Sequence, residues 1–399
     1  MRVLLAKTGH HWIASQLDEI ARCVPENIDW AYDDKSFESL DEETTESLRF
    51  FYPENDRYEY TRGTIERMRE ISGRVGPYGM NNETLKLLLN FEWLAHTRFK
   101  SRNRPKLYRD HIIHPAVVCA IGWWFLTDDK SPPQLKCEKI ASELEQQHGN
   151  IKNENNREFT SEEWYEIVQK SWILASLTHD LFYPVEFLME LTQKVETLEP
   201  ELWSRQLNKK KIRTLCGSAQ LGPFRNLVSF SNCCDNISSI KRSHAAGAAL
   251  RLLGISTEYG NLKIKEKLIH ELAAAAIFYH HSDDDGINLK RNPIGYLLAL
   301  ADECHEADRE MITSKKMKCK LPRRQMEFIS FIKTFKIAKA GDKYLIKFAQ
   351  IPEGRKKTDL LEGGFDPEKY KNGKEKAFDK FNKNDANLAF ECKIGVSST

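Results

Sequence analysis

Along most of this chain apolar residues recur every three or four positions, and only near its end do they recur every second position. Ile13, Leu17 and Ile20 share one helical face near the start. Asp41–Thr45 and Tyr52–Asp56 read as surface connections. From about Asn82 to Arg309 the helical period dominates. Val117, Ile121 and Phe125, with Val118 alongside, form an apolar stripe directly after His114. Thr160 or Ser161 is placed to cap a helix with Glu163 in its first turn, and Ile167, Ser171, Leu174 and Thr178 lie along one side of it. A further helix runs from about Ser239 to Leu253, with Gly254 at its C′ position. The run Glu266–His281 is rich in Leu and Ala. Asn292-Pro293 supplies an N-cap and a proline at the first helical position, opening a helix through Asp302.

Polar stretches separate these helices: Gln146–Arg157 reads as a loop and Asn208–Arg213 as a short basic patch. After Phe331 the period changes to two. Phe335 and Ile337, then Tyr344, Ile346 and Phe348, flank Ala340-Gly341-Asp342 and predict a hairpin. Leu388, Phe390, Cys392 and Ile394 predict a third strand. The Lys- and Gly-rich stretch between them, Glu353–Asp385, reads as exposed. The predicted fold is mainly α, with an N-terminal helical or irregular segment over 1–81, a helical domain over 82–325 and a small α+β appendage over 326–399.

Composition narrows the function classes. The chain has 399 residues, 41% of them hydrophobic and 30% charged, as in a folded globular protein. Lys and Arg total 60 against 58 Asp and Glu, a near balance that argues against a dedicated nucleic-acid coat. A local pocket for a small phosphorylated ligand stays compatible with it. No apolar run is long enough to span a bilayer, and the Val3–Ala6 stretch is too short for a signal-peptide core. The 9 Cys lack any CxxC pair, so the expectation is a reduced, cytoplasmic chain.

The chemistry-bearing residues fall at helix ends. His114 opens one helix, and His179-Asp180 close another. His244 lies in RSHAAGAALRLLG, His280-His281 end the Ala-rich helix, and Asp302 sits in the apolar LLALADECH. Leu297, Leu298, Leu300 and Ala301 around Asp302 predict its burial, and a buried carboxylate needs a partner or a metal. Imidazole with carboxylate suits Fe, Mn, Zn or Ni, whereas an all-oxygen set suits Mg or Ca. Helix ends hold such ligands rigidly. Two metals roughly 3.5–4 Å apart bind phosphate and acidify water, which outlines a phosphoester hydrolase.

The order H…HD…H…HH…D resembles the HD-domain superfamily of metal-dependent phosphohydrolases, in its branch with extra histidines. The resemblance spans about Asn82 to Arg309 and implies an HD-domain helical bundle. It implies one metal on His114, His179, Asp180 and Asp302, with Asp180 bridging to a second metal on His244, His280 and His281. Among its branches the HD-GYP phosphodiesterases are partly similar. Their HHExxDG element is echoed by His280-His281-Ser282-Asp283-Asp284-Asp285-Gly286, with Ser in place of Glu. Phe182 and Tyr183 follow Leu181 where that pattern has Gly-Lys. The implied cofactors are two divalent ions, Fe or Mn first, with Zn, Ni or Mg also compatible. The implied substrate is a small, nucleotide-like phosphoester.

Around this set His111, Lys241, Arg242 and Arg291, with Lys290, are candidate substrate contacts. His111 is also a candidate to orient a ligand ring, the reading slightly preferred, or a structural hydrogen-bonder, and Asp110 is a candidate to orient one of these rings. His10, His11, His96, His148, His270 and His305 read as ordinary. Two other functions use the same residues: a di-iron oxygenase of the HD fold, and a non-catalytic nucleotide-binding module signalling through the C-terminal appendage.

Overall fold

The structure is a computed structural model. It describes residues 10–24, 40–52, 55–75, 85, 88–89, 107–108, 111–181, 244–245, 248–249, 252, 262–280, 288–305, 310–312, 328–330, 335–341, 343–348, 367–384 and 390–394. The described residues are mainly helical. Helices α1 (His10–Cys23), α2 (Glu42–Phe51) and α3 (Asn55–Val75) precede α4 (His114–Thr127), α5 (Cys137–His148), α6 (Ser161–Thr178), α7 (Ile264–His280) and α8 (Pro293–Cys304). A C-terminal helix, α9 (Pro367–Asn384), completes the set.

Helix α4 is the axis of the bundle. It is apolar all round, and every residue from His114 to Leu126 is buried, beyond the single stripe its sequence predicts. Such a helix has to be enclosed, and α1, α6 and α8 pack around it. Gly122 lets α6 approach: a Cβ there would lie 1.9 Å from Cζ2 of Trp172. The Trp172 indole then donates to the Cys119 carbonyl at 3.2 Å. Helix α7 packs against both α6 and α8, and α3 against α1 and α6, so the N-terminal helices share one apolar core with the bundle.

Several helix ends fall where the sequence places them. Thr160 and Glu163 form a capping box at the start of α6, which gives way at His179. Asn292 accepts from the Gly295 N–H at 2.8 Å, with Pro293 at the first position of α8. His244, Ala245, Ala248, Ala249 and Leu252 are helical and buried; the ends of their predicted helix lie outside the described residues. Asp41–Thr45 differs from the reading as a connection. Asp41 accepts from the Thr44 N–H and caps α2, a signal that its Asp and following acids carried. Gln146 and Gln147 belong to α5 rather than to a loop.

Two small sheets lie among the described residues. Strands β1 (Leu107–Tyr108), β2 (Glu310–Ile312) and β3 (Phe328–Ser330) pair antiparallel in that order. Strands β4 (Phe335–Ala340) and β5 (Lys343–Phe348) form the predicted hairpin, with Gly341 at φ 65 in its turn. Strand β6 (Phe390–Ile394) pairs parallel with β5, Tyr344 opposite Phe390. A parallel pair needs a crossover, and α9 supplies it. The 353–385 stretch is therefore not simply exposed: Phe378 and Phe381 are buried, and Phe381 meets Tyr296 of α8 ring to ring at 5.3 Å. No helix among the described residues is long and apolar enough to cross a membrane.

Candidate metal centre

Helices α6 and α7 run in the same direction. Lys265 meets Glu166, the Ile269 carbonyl accepts from Ser171, and the His280 ring lies 5.3 Å from that of His179. Their C-terminal ends therefore bring His179, Asp180 and His280 together. The start of α4 adds His114, and the last turn of α8 adds Asp302.

The polar atoms converge tightly. Nε2 of His114 lies 3.1 Å from Oδ1 of Asp302, 3.3 Å from Oδ2 of Asp180 and 3.2 Å from Nε2 of His179. Oδ1 of Asp180 lies 3.3 Å from Nε2 of His179 and 3.6 Å from Nε2 of His244. Two groups, His114–His179–Asp302 and His179–Asp180–His280, each offer ligand atoms within 4.8 Å of one another. The rings of His244 and His280 stand 5.8 Å apart. His114, His179, Asp180, His244 and His280 are all buried. Asp302 departs from its predicted burial: its side chain is 20% exposed, so the centre opens to solvent beside it.

Tautomers decide what this cluster wants. Nδ1 of His179 lies 2.8 Å from the Ser176 carbonyl, and Nδ1 of His280 meets the Ile277 carbonyl. A carbonyl only accepts, so in both rings Nδ1 carries the proton and donates. In the neutral ring Nε2 then presents a lone pair. For His179 that lone pair is aimed at carboxylate oxygen of Asp180. Lone pair against carboxylate in a buried setting is repulsive unless a proton or a metal cation lies among them. Donors bound to one ion at about 2.1 Å stand roughly 3.0–3.4 Å apart at octahedral to tetrahedral angles. The separations of His114 from His179, Asp180 and Asp302, and of His179 from Asp180, fall in that window, so these residues could hold a metal ion.

The remaining candidates divide. His111 lies in the turn before α4, half-buried, and belongs to neither ligand group. Arg291 and Lys290 lie in the turn ahead of α8, whereas Asp302 lies near its end. From Pro293 to Asp302 the helix rises about 14 Å, which sets these two basic residues apart from the acid. His281, Asp110, Lys241 and Arg242 lie outside the described residues. His305, read from sequence as ordinary, instead touches the cluster: its Nδ1 meets Nδ1 of His114, and the two rings lie near parallel with centroids 4.7 Å apart. Its one signal was a position three residues after Asp302.

Comparison with known proteins adds nothing to this geometry: no family model, curated protein or solved structure matches the chain.

Proposed function

We propose that this chain is a metal-dependent phosphohydrolase of the HD-domain type, acting on a small, nucleotide-like phosphoester through two divalent ions. The observation that supports it best is the division of Asp180 between partners. Its Oδ2 faces His114, while its Oδ1 faces His179 and His244. A carboxylate used in this way suits a bridge between two ions. His114, His179, Asp180 and Asp302 would hold one ion; Asp180 with His244 and His280 would hold the other, to which His281 adds a candidate ligand. When bound, such ions polarise phosphoryl oxygens and acidify water.

The protein's own contribution is orientation, charge and exclusion of water. Ser176 and Ile277 carbonyls fix two rings, and His114, His179, Asp180, His244 and His280 are buried, leaving Asp302 as the partly exposed edge. Two carboxylates against two divalent cations leave positive charge for an anionic substrate. The exposed edge at Asp302 is the side from which that substrate would approach.

The test is hydrolysis of bis(4-nitrophenyl) phosphate and 4-nitrophenyl phosphate by anaerobically purified chain supplied with Mn²⁺ or Fe²⁺. Release of 4-nitrophenol that chelator abolishes, and that falls at least about 100-fold in Asp180→Ala, is expected. Full activity in Asp180→Ala, or dioxygen consumption by an iron-loaded chain with no hydrolysis of either ester, would overturn the reading.

A further inference from the structure

An imidazole that binds a metal through one nitrogen carries its proton on the other, and that N–H needs an acceptor to hold the ring in place. For His179 and His280 the fold supplies the acceptor locally. Both stand at helix C-terminal ends and reach back three residues to a carbonyl. His114 is the first residue of α4, and the Cα–Cβ bond of a helical residue tilts toward the helix N-terminus. Only the short turn His111–Ile113 leads into it, and the contact at its Nδ1 comes from a distant side chain instead of a carbonyl three residues back.

The group that meets Nδ1 of His114 comes from 191 residues away. It is Nδ1 of His305, the residue that ends α8. The rings lie 19° from parallel, and His305 is held there by its own backbone N–H, which donates to the carbonyls of Ala301 and Asp302 at 3.1 Å each. With Nε2 of His114 turned toward Asp180, Asp302 and His179, its Nδ1–H can donate only to a bare nitrogen.

We propose that His305 is the positioning residue of the metal centre: its Nδ1 accepts from Nδ1–H of His114 and aims Nε2 of His114 at the first ion. The inference rests on reading the cluster as a metal site. His305 then carries its own proton on Nε2. An imidazole in this place is a neutral acceptor, whereas a carboxylate would cancel part of the positive charge that an anionic substrate needs. The end of α8 thereby delivers a ligand, Asp302, and the orienter of a second ligand, three residues apart on one rigid element.

The experiment compares Mn²⁺ affinity by equilibrium dialysis in the full chain and in His305→Ala, His305→Phe and His305→Asn, with helicity checked by circular dichroism. Phe keeps a ring against His114 but offers no acceptor; Asn offers an acceptor without the ring. The expected result is a 10- to 100-fold loss of affinity in the Ala and Phe variants and partial recovery in Asn. A Phe variant that binds Mn²⁺ as tightly as wild type, or an Asn variant no better than Phe, would overturn the proposal. Failure of the metal reading itself looks different, because the wild-type chain would then take up no Mn²⁺.

Discussion

The two ends of the α6–α7 pair both gather carboxylates, with different partners. At the N-terminal end, Glu166 is met by Lys170 at 2.7 Å and by Lys265, and Arg157 grips Glu163 through two contacts at 2.8 and 2.9 Å. Glu154 accepts from the Ile264 N–H, and Glu266 from that of Lys263. A cavity of about 240 Å³ lies among these groups, yet acids and bases there neutralise one another. At the C-terminal end the acids meet imidazoles instead, and two of those rings already spend their N–H on backbone carbonyls. Charge that is balanced internally needs no ligand. Carboxylates ringed by imidazole lone pairs call for a cation. That difference, more than burial or residue type, marks one end as the candidate functional site.

The sharpest way to break the comparison is at the self-neutralised end. Burial would raise the Glu166 carboxyl, but its hydrogen bonds with Lys170 and Lys265 hold it below the ordinary value. Glu166→Ala strands the buried Lys170 and is expected to cost about 3 kcal/mol in urea unfolding. Mn²⁺ affinity should stay at the wild-type level, and a loss there would show that the two ends are not independent. Because the folded pKa is depressed, this stabilisation holds at neutral pH and fades as pH falls through the carboxylate range.

Glu271, on α7 between the two ends, is the counterexample to good pairing. Burial pushes its carboxyl up to about 7, against the opposing pull of Lys267. A raised folded pKa means stability is full below the unfolded value near 4.5 and declines as pH rises through about 7. Glu271→Gln is therefore expected to flatten the pH dependence. Allowing for partial exposure, it should gain about 2 kcal/mol near pH 8. Thermal unfolding from about pH 5 to pH 8 measures it, and an unchanged slope would remove Glu271 as its source. The smallest effect concerns the cap that starts α6. Thr160→Ala removes one half of the capping box and should cost about 1 kcal/mol without changing metal uptake.

What the sequence revealed follows the same physical divide. His114, His179 and His280 were legible because each stands at a helix boundary with a local signature: Pro115 after one, the Thr160–Glu163 box opening another, an Ala-rich run closing the third. The β4–β5 hairpin was legible from its two-residue period and Gly341. Helix α9 was not, because its buried Phe378 and Phe381 sit in a Lys-rich stretch whose few apolar positions give a thin stripe. Arg291 flanks the metal motifs in sequence, yet the length of α8 separates it from Asp302. His305 read as ordinary because the ring it meets is 191 residues away, and its place three residues after Asp302 is too weak a signal to encode such a pairing.

The central claim is that the buried cluster is a metal centre organised by Asp180. The most direct measurement is equilibrium dialysis of the full chain against Mn²⁺, with the metal counted per protein, for wild type and Asp180→Asn. The account expects about two ions per wild-type chain, and at least a tenfold weaker uptake in the variant because a bridging carboxylate has been replaced by a neutral amide. Wild-type protein that retains no ion, or an Asp180→Asn chain that binds as many ions as tightly, would contradict it.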